Sequence, residues 1–287
     1  MKILETHKVP LLEKPIRLQE YAVGIFTTIS TKSALKKVIK KGLIQVNNEI
    51  STTARFIHGG EIISLCDDEK TKAKKELELK LEVLFEDDYL AIVYKPSGIL
   101  VSGNKFMTID NALEQNLEKS KQNDAVRPRP VHRLDYPTSG LLLIGKTASS
   151  ILELNKLFEN KEIQKTYYAV AIGKMKPSGS IDLPIDEKES LSHYEVLKTI
   201  ASERFEALNF VKLSPKTGRR HQLRKHLSEI GNPILGDLEY GKENLILKGK
   251  GLYLHAATLE FMHPFTKEKM KVDSELPKKF EKLFPSK

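Results

Sequence analysis

In the segment Arg129-Pro130-Val131-His132-Arg133-Leu134-Asp135-Tyr136-Pro137-Thr138-Ser139-Gly140-Leu141-Leu142-Leu143, polar and turn-forming residues stand directly before a strongly apolar run. Reactive groups are commonly held in such loops, anchored by a buried strand. Asp135 falls in the turn and not in the strand, so its carboxylate can face outward while Thr138 or Ser139 fixes the loop. A carboxylate in that position can act as nucleophile, base or ligand. It can equally cap the turn and pair with Arg133 as a structural ion pair.

Other local patterns suggest other chemistries and fail on context. Gly140 to Thr147 matches the phosphate-loop spacing G-x-x-x-x-G-K-[ST]. Its interior, Leu141 to Ile144, is apolar enough to demand a buried strand, whereas a phosphate cradle needs an open loop fed by a preceding strand. His132-Arg133-Leu134-Asp135 departs from the kinase His-Arg-Asp loop by one inserted leucine, and no Asp-Phe-Gly follows. His132, His221, His226, His255 and His263 lack H-E-x-x-H spacing and any cysteine pair, so neither a metal nor a cofactor is expected.

Two further segments join the first. Lys165-Thr166-Tyr167-Tyr168-Ala169 ends in Gly173, and Gly218-Arg219-Arg220-His221-Gln222-Leu223-Arg224 precedes Gly231-Asn232-Pro233-Ile234-Leu235-Gly236-Asp237. With His132 to Asp135 followed by Thr138 to Leu142, these resemble in order and spacing the RluA family of pseudouridine synthases over residues 81 to 270. Weaker echoes are Lys95-Pro96-Ser97-Gly98, Leu254-His255-Ala256 and Phe261-Met262-His263-Pro264. The resemblance implies RNA uridine isomerisation with Asp135 as catalytic aspartate, Tyr167 (by spacing, not Tyr168) as active-site tyrosine and Arg224 as partner of the aspartate. It also implies that Arg133 fills the gap left by a flipped base. Tyr136-Pro137 and Ser102-Gly103 depart from the family's usual residues.

The implied reaction detaches uracil from ribose, turns it and rejoins it through a carbon, so it requires no redox or metal chemistry. One ionised carboxylate near the sugar suffices, whether it adds to the anomeric carbon or removes a ribose proton, and a neighbouring guanidinium favours the charged form. A tyrosine offers a π face for the base and a hydroxyl for a late proton transfer. The target base must leave its stack, at a cost of a few kcal/mol that phosphate contacts offset.

These residues need a scaffold. The 287 residues exceed one typical domain, and the pattern divides them. Within residues 10–66, Leu35, Val38 and Ile39 recur at helical spacing, Gly42 stops the helix, Asn47-Asn48 suits a tight turn, and a strand follows Gly59-Gly60 around Glu61 to Leu65. This unit resembles the small RNA-binding module named after the fourth small-subunit ribosomal protein. Residues 67–80 are mostly charged and read as a linker. Residues 81–287 carry the catalytic segments. Strands are expected at Leu90 to Tyr94, Leu141 to Ile144, Tyr167 to Ile172, Phe205 to Leu213 and Leu252 to Phe261, with helices at Ser150 to Lys161 and Arg220 to Ile230. The fold class is therefore α+β. The resemblance specifies a central mixed, mainly antiparallel sheet flanked by helices and loops, plus the small N-terminal module.

Lysine and arginine outnumber aspartate and glutamate by 47 to 38, for a formal charge of +9, which favours a polyanionic partner. Arg219, Arg220, Arg224 and Lys225 form one basic cluster, and Lys32, Lys36, Lys37, Lys40 and Lys41 another. With Arg133 and His132 they are the candidate contacts to structured RNA, with ribosomal RNA expected ahead of transfer RNA. A single cysteine, Cys66, excludes an internal disulfide and suits a reducing cytoplasm. No apolar run suggests a signal peptide or membrane span, and a monomer is the default. The rival expectation is a non-catalytic RNA-binding ribosome-assembly factor on the same scaffold.

Overall fold

The structure, a computed structural model, describes residues 2–27, 29, 31–67, 77–247 and 249–285. The chain forms two compact units, Met1–Glu76 and Leu77–Lys287.

The first unit comprises β1 (Ile3–Lys8), β2 (Ile16–Arg17), α1 (Leu18–Tyr21), α2 (Lys32–Lys40), β3 (Ile44–Val46), β4 (Glu49–Ile50), β5 (Phe56–Ile57) and β6 (Ile62–Cys66). It begins before residue 10, because β1 pairs antiparallel with β6 at the edge of the sheet β1-β6-β3-β4. Thr31 caps α2 by accepting the Ala34 N–H. Leu35 and Ile39, one turn apart, enter the core, which leaves Lys37, Lys40 and Lys41 exposed and Lys36 half-buried. Asn47 and Asn48 both take positive φ, 50° and 66°, as a two-residue hairpin turn requires.

Most of the expected linker, residues 68–76, lies outside the described residues. Its C-terminal end is no linker, because Leu77 and Leu81 are buried in the core of the second unit beside Ile109 and Leu113. The charge pattern concealed these two leucines.

The second unit carries β7 (Val83–Glu86), β8 (Leu90–Lys95), α3 (Ile109–Asn116), β9 (Ala125–Pro130), β10 (Ser139–Thr147), α4 (Ala148–Glu159), β11 (Gln164–Ile172), β12 (Ser178–Asp182), β13 (Leu191–Ser202), β14 (Glu206–Pro215), α5 (Gln222–Glu229), β15 (Leu254–Met262), β16 (Lys269–Asp273) and α6 (Lys278–Leu283). One ten-stranded sheet runs β12-β13-β14-β11-β15-β10-β8-β7, with β16 on β15 and β9 on β10. Its strand pairs are antiparallel except β10 with β15. The sheet is thus mixed and mainly antiparallel.

Strand β10 is buried over its whole length, as its run of leucines demands. Its Lys146 lies in a tight ion pair with Glu86 at 2.6 Å, so the phosphate-loop match is a core strand with a neutralised lysine. At Gly140, φ is +119° and a Cβ would stand 2.1 Å from the Ala256 carbonyl oxygen, so only glycine permits the parallel approach of β10 to β15. Thr147 then caps α4 through a capping box with Ser150. No described helix is long and apolar enough to cross a membrane.

Candidate active site

The sheet register assembles the site. Gly140 on β10 and Tyr167 on β11 both pair with Ala256 of β15, which brings the turn ahead of β10 beside Tyr167. That turn holds Asp135. Its Leu134 is buried as an anchor, and the Thr138 N–H closes it onto the Asp135 carbonyl at 3.0 Å.

Below the turn lies Lys95, the last residue of β8 and fully buried. Its ammonium donates to three carbonyls, those of Pro96 at 2.9 Å, Tyr136 at 3.3 Å and Thr138 at 2.7 Å. The Gly98 N–H and the Ser97 hydroxyl donate to the Tyr136 and Pro137 carbonyls from the same side. The weak echo Lys95-Pro96-Ser97-Gly98 is thus the cradle of the aspartate turn. Burial lowers the Lys95 pKa to about 8, and the charge of Asp135 opposes that drop.

His132 lines the cavity, but its Nε2 accepts the Leu143 N–H at 2.9 Å and its ring packs on Phe158 with centroids 4.9 Å apart. Burial, aided by the nearby Lys165 ammonium, lowers its pKa to about 3, so the ring is neutral near pH 7. Sequence places His132 among the RNA contacts; the structure gives it the work of building the loop. Arg133, its neighbour, is exposed at the cavity wall.

Arg224 on α5 is buried and sits 3.5 Å from the Asp135 carboxylate. Its tight partner is another residue. Nε and Nη2 donate to the two oxygens of Asp237 at 2.7 and 2.8 Å, and Nη2 reaches Glu239 at 3.1 Å. The guanidinium also lies 4.9 Å from the Tyr240 ring centre. Burial opposes the charge, yet the hydrogen bonds and charge of Asp237, with Asp135 and Glu239, hold the guanidinium above its ordinary pKa. Asp237 is held below its own range in return: burial works against it, and Arg224 with the Tyr240 and Glu239 N–H groups outweighs burial. Asp237 lies in the Gly231 to Asp237 segment, but sequence gave no sign that it, and not Asp135, saturates the arginine.

His221 also approaches the aspartate, with Nε2 at 3.7 Å. It precedes α5 in a left-handed conformation, φ 56°, and its Nδ1 shares a 2.8 Å hydrogen bond with the Tyr240 hydroxyl. The expected helix start at Arg220 therefore shifts to Gln222. Arg219 and Arg220 stand in the preceding turn, where the Gln222 amide oxygen accepts the Arg219 N–H at 3.0 Å. Arg219 lines the cavity; Arg220 does not, and Lys225 faces Asp186 at 3.1 Å.

Tyr167 and Tyr168 point to opposite faces of β11, as alternation requires. Tyr167 lines the cavity, whereas Tyr168 stacks on Phe210 with centroids 5.2 Å apart. Burial first, then the charge of Asp135, raises the Tyr167 pKa, so its phenol stays protonated.

The cavity these residues enclose has a volume of about 700 Å³. Its lining carries six lysines and arginines against two carboxylates, Asp135 and Glu159. Such a site attracts a polyanion and presents one carboxylate to it. Among the described residues no histidine, cysteine and carboxylate cluster could hold a metal ion. Lys36, Lys37, Lys40 and Lys41 belong to the other unit.

Comparison with known proteins places this geometry. Residues 89–229 match the model of the RNA pseudouridylate synthase family. A protein of Aquifex aeolicus named as an uncharacterised RNA pseudouridine synthase is 32% identical over 99% of this chain and 98% of its own. The ribosomal large subunit pseudouridine synthase D of Nitrosomonas europaea is 31% identical over 86% and 77% of the two chains. The human RNA pseudouridylate synthase domain containing 1, at 23% identity and TM-score 0.57 over 69% of this chain and 84% of its own, shares the fold. With such identity sustained along most of both chains, and with the three segments converging on one basic cavity, the chain belongs to the RluA family of RNA pseudouridine synthases, isomerases of uridine in RNA.

Proposed function

We propose that this chain converts uridines of large-subunit ribosomal RNA to pseudouridine, with Asp135 as its catalytic carboxylate. One observation carries the assignment: Asp237 satisfies Arg224 so fully that, among the described residues, the partly exposed Asp135 carboxylate keeps only looser charged contacts at 3.5 and 3.7 Å. Its carboxylate oxygens stay open to a sugar at the cavity.

In this reading the basic lining draws in the RNA backbone, Arg133 occupies the place of the flipped base, and uracil packs on Tyr167. Asp135 then either bonds to the anomeric carbon or takes a ribose proton as the bond from ribose to nitrogen breaks. Uracil turns and its carbon 5 bonds to the anomeric carbon as the Asp135 carboxylate leaves that carbon or returns the ribose proton, and the hydrogen on carbon 5 leaves to solvent. The Tyr167 phenol, protonated at rest, relays that proton late in the sequence. The first unit, with Lys37, Lys40 and Lys41 exposed along α2, serves as an auxiliary RNA-binding module of the ribosomal-protein type. The proposed compartment is the cytoplasm, in keeping with an RNA substrate and the free, buried thiol of Cys66.

Unmodified transcripts of large-subunit, small-subunit and transfer RNA, tritiated at carbon 5 of uracil, test the substrate. Tritium released from the large-subunit transcript supports the reading. Release confined to transfer RNA would overturn the ribosomal assignment, and its absence from every pool would overturn the uridine chemistry.

A further inference from the structure

The cations of the cavity are not equivalent. Arg224 is saturated by carboxylates, and Arg219 donates through Nε to the Glu189 carbonyl at 3.0 Å. Arg133, Lys161 and Lys216 are exposed and hydrated by solvent. Lys165 differs from all of these. It is half-buried on β11, lines the cavity, and among the described residues no carboxylate or carbonyl hydrogen-bonds its ammonium. Its contact is the Phe158 ring, 5.8 Å to the centroid. Burial draws its pKa below the ordinary lysine value with no opposing partner.

A half-buried ammonium that no counter-charge meets carries a desolvation cost, which an anion entering the cavity would offset. Lys165 and Tyr167 are two residues apart on one strand and face the same cavity. They are separated by about 7 Å along the chain, on the scale of the distance from a nucleobase to its own phosphate. We propose that Lys165 binds the backbone phosphate adjoining the target uridine. The assignment rests on the RNA function above and adds the residue that fixes the nucleotide's backbone while Tyr167 holds its base. Lys165 touches RNA and takes no part in bond making.

The test measures binding of the intact chain to an unmodified large-subunit ribosomal RNA transcript as KCl rises from about 50 to about 200 mM, for wild type, Lys165→Met and Lys165→Arg. Loss of one phosphate contact shallows the slope of log K against log salt by about 0.7 to 0.9. Lys165→Met should show that change, with weakened binding at low salt that converges on wild type at high salt; Lys165→Arg should restore the slope. The thermal midpoint of Lys165→Met should hold or rise, because an unsatisfied charge has been removed. An unchanged slope overturns the proposal, whether affinity is kept or is lost through uracil recognition. A lowered midpoint also overturns it, since it would show Lys165 to be structural. Tritium release by wild type is scored separately: its absence with an altered slope would sink the isomerase reading and leave the phosphate contact standing.

Discussion

Asp237→Asn is the substitution that best separates support of the arginine from chemistry. The Asp237 side chain is fully buried, meets the guanidinium at 2.7 and 2.8 Å, and accepts the N–H groups of Glu239 and Tyr240 at 3.0 and 3.1 Å. Asparagine preserves the volume but removes the charge and turns an amide donor toward a donor. Breaking one side of a buried ion pair typically costs about 3–5 kcal/mol. For a unit of 150–250 residues that corresponds to a fall in melting midpoint of about 6 to 20 °C. The remaining acidic neighbours of Arg224 are Glu239 at 3.1 Å and Asp135 at 3.5 Å. The freed guanidinium should therefore draw in Asp135 and tie up the oxygens that the proposed reaction uses. Calorimetry gives the midpoint, and single-turnover tritium release at a temperature where both proteins are folded gives the rate, expected to fall at least tenfold. A variant that melts within about 2 °C of wild type and turns over at its rate would refute the division of labour between the two aspartates.

Lys95 predicts opposite trends in stability and activity. Its folded pKa is about 8 against an ordinary 10.5, so between those values the unfolded chain binds more protons and stability contributed by this group rises with pH. Relative to Lys95→Met, wild type should gain up to about 3 kcal/mol across that window in chemical denaturation. Activity should decline above pH 8, because a neutral amine can donate to at most two of the three loop carbonyls; a flat profile through pH 9 would contradict this. Tyr167→Phe should preserve the KM for RNA while slowing turnover, whereas Tyr167→Leu should raise KM as well, read by steady-state tritium release. Equal kinetics for the two variants would deny the ring a role in holding uracil.

The apolar strands were legible because buried sheets need continuous hydrophobic runs, and β8, β10, β11, β14 and β15 all fall where those runs lie. The long strand β13 was not, since its buried face includes Ser192 beside Tyr194 and its other positions are mixed polar residues. Helix α3 is faint in the sequence because its signal is a Thr108 cap without a glycine stop. Within the site, the turn that carries Asp135 was readable from the turn formers Pro137 to Gly140 standing ahead of an apolar run, whereas a role for its carboxylate came only with the family resemblance. Long-range pairings were hidden: nothing local tells that Lys95 crosses 43 residues to the Thr138 carbonyl, or that Arg224 chooses Asp237 over Asp135. The neutral His132, and the ammonium of Lys165 that no carboxylate meets among the described residues, depend on burial, which a single sequence does not state.

We propose that Asp135 makes and breaks bonds while its surroundings only hold it. Asp135→Asn keeps the size of the side chain and removes its negative charge, and its release of tritium from the large-subunit transcript should be compared with wild type at equal RNA occupancy. Asp135→Asn should fold unchanged, bind RNA within about threefold of wild type, a difference of about 0.7 kcal/mol, and show no detectable release. Release at a tenth of the wild-type rate or faster would contradict it.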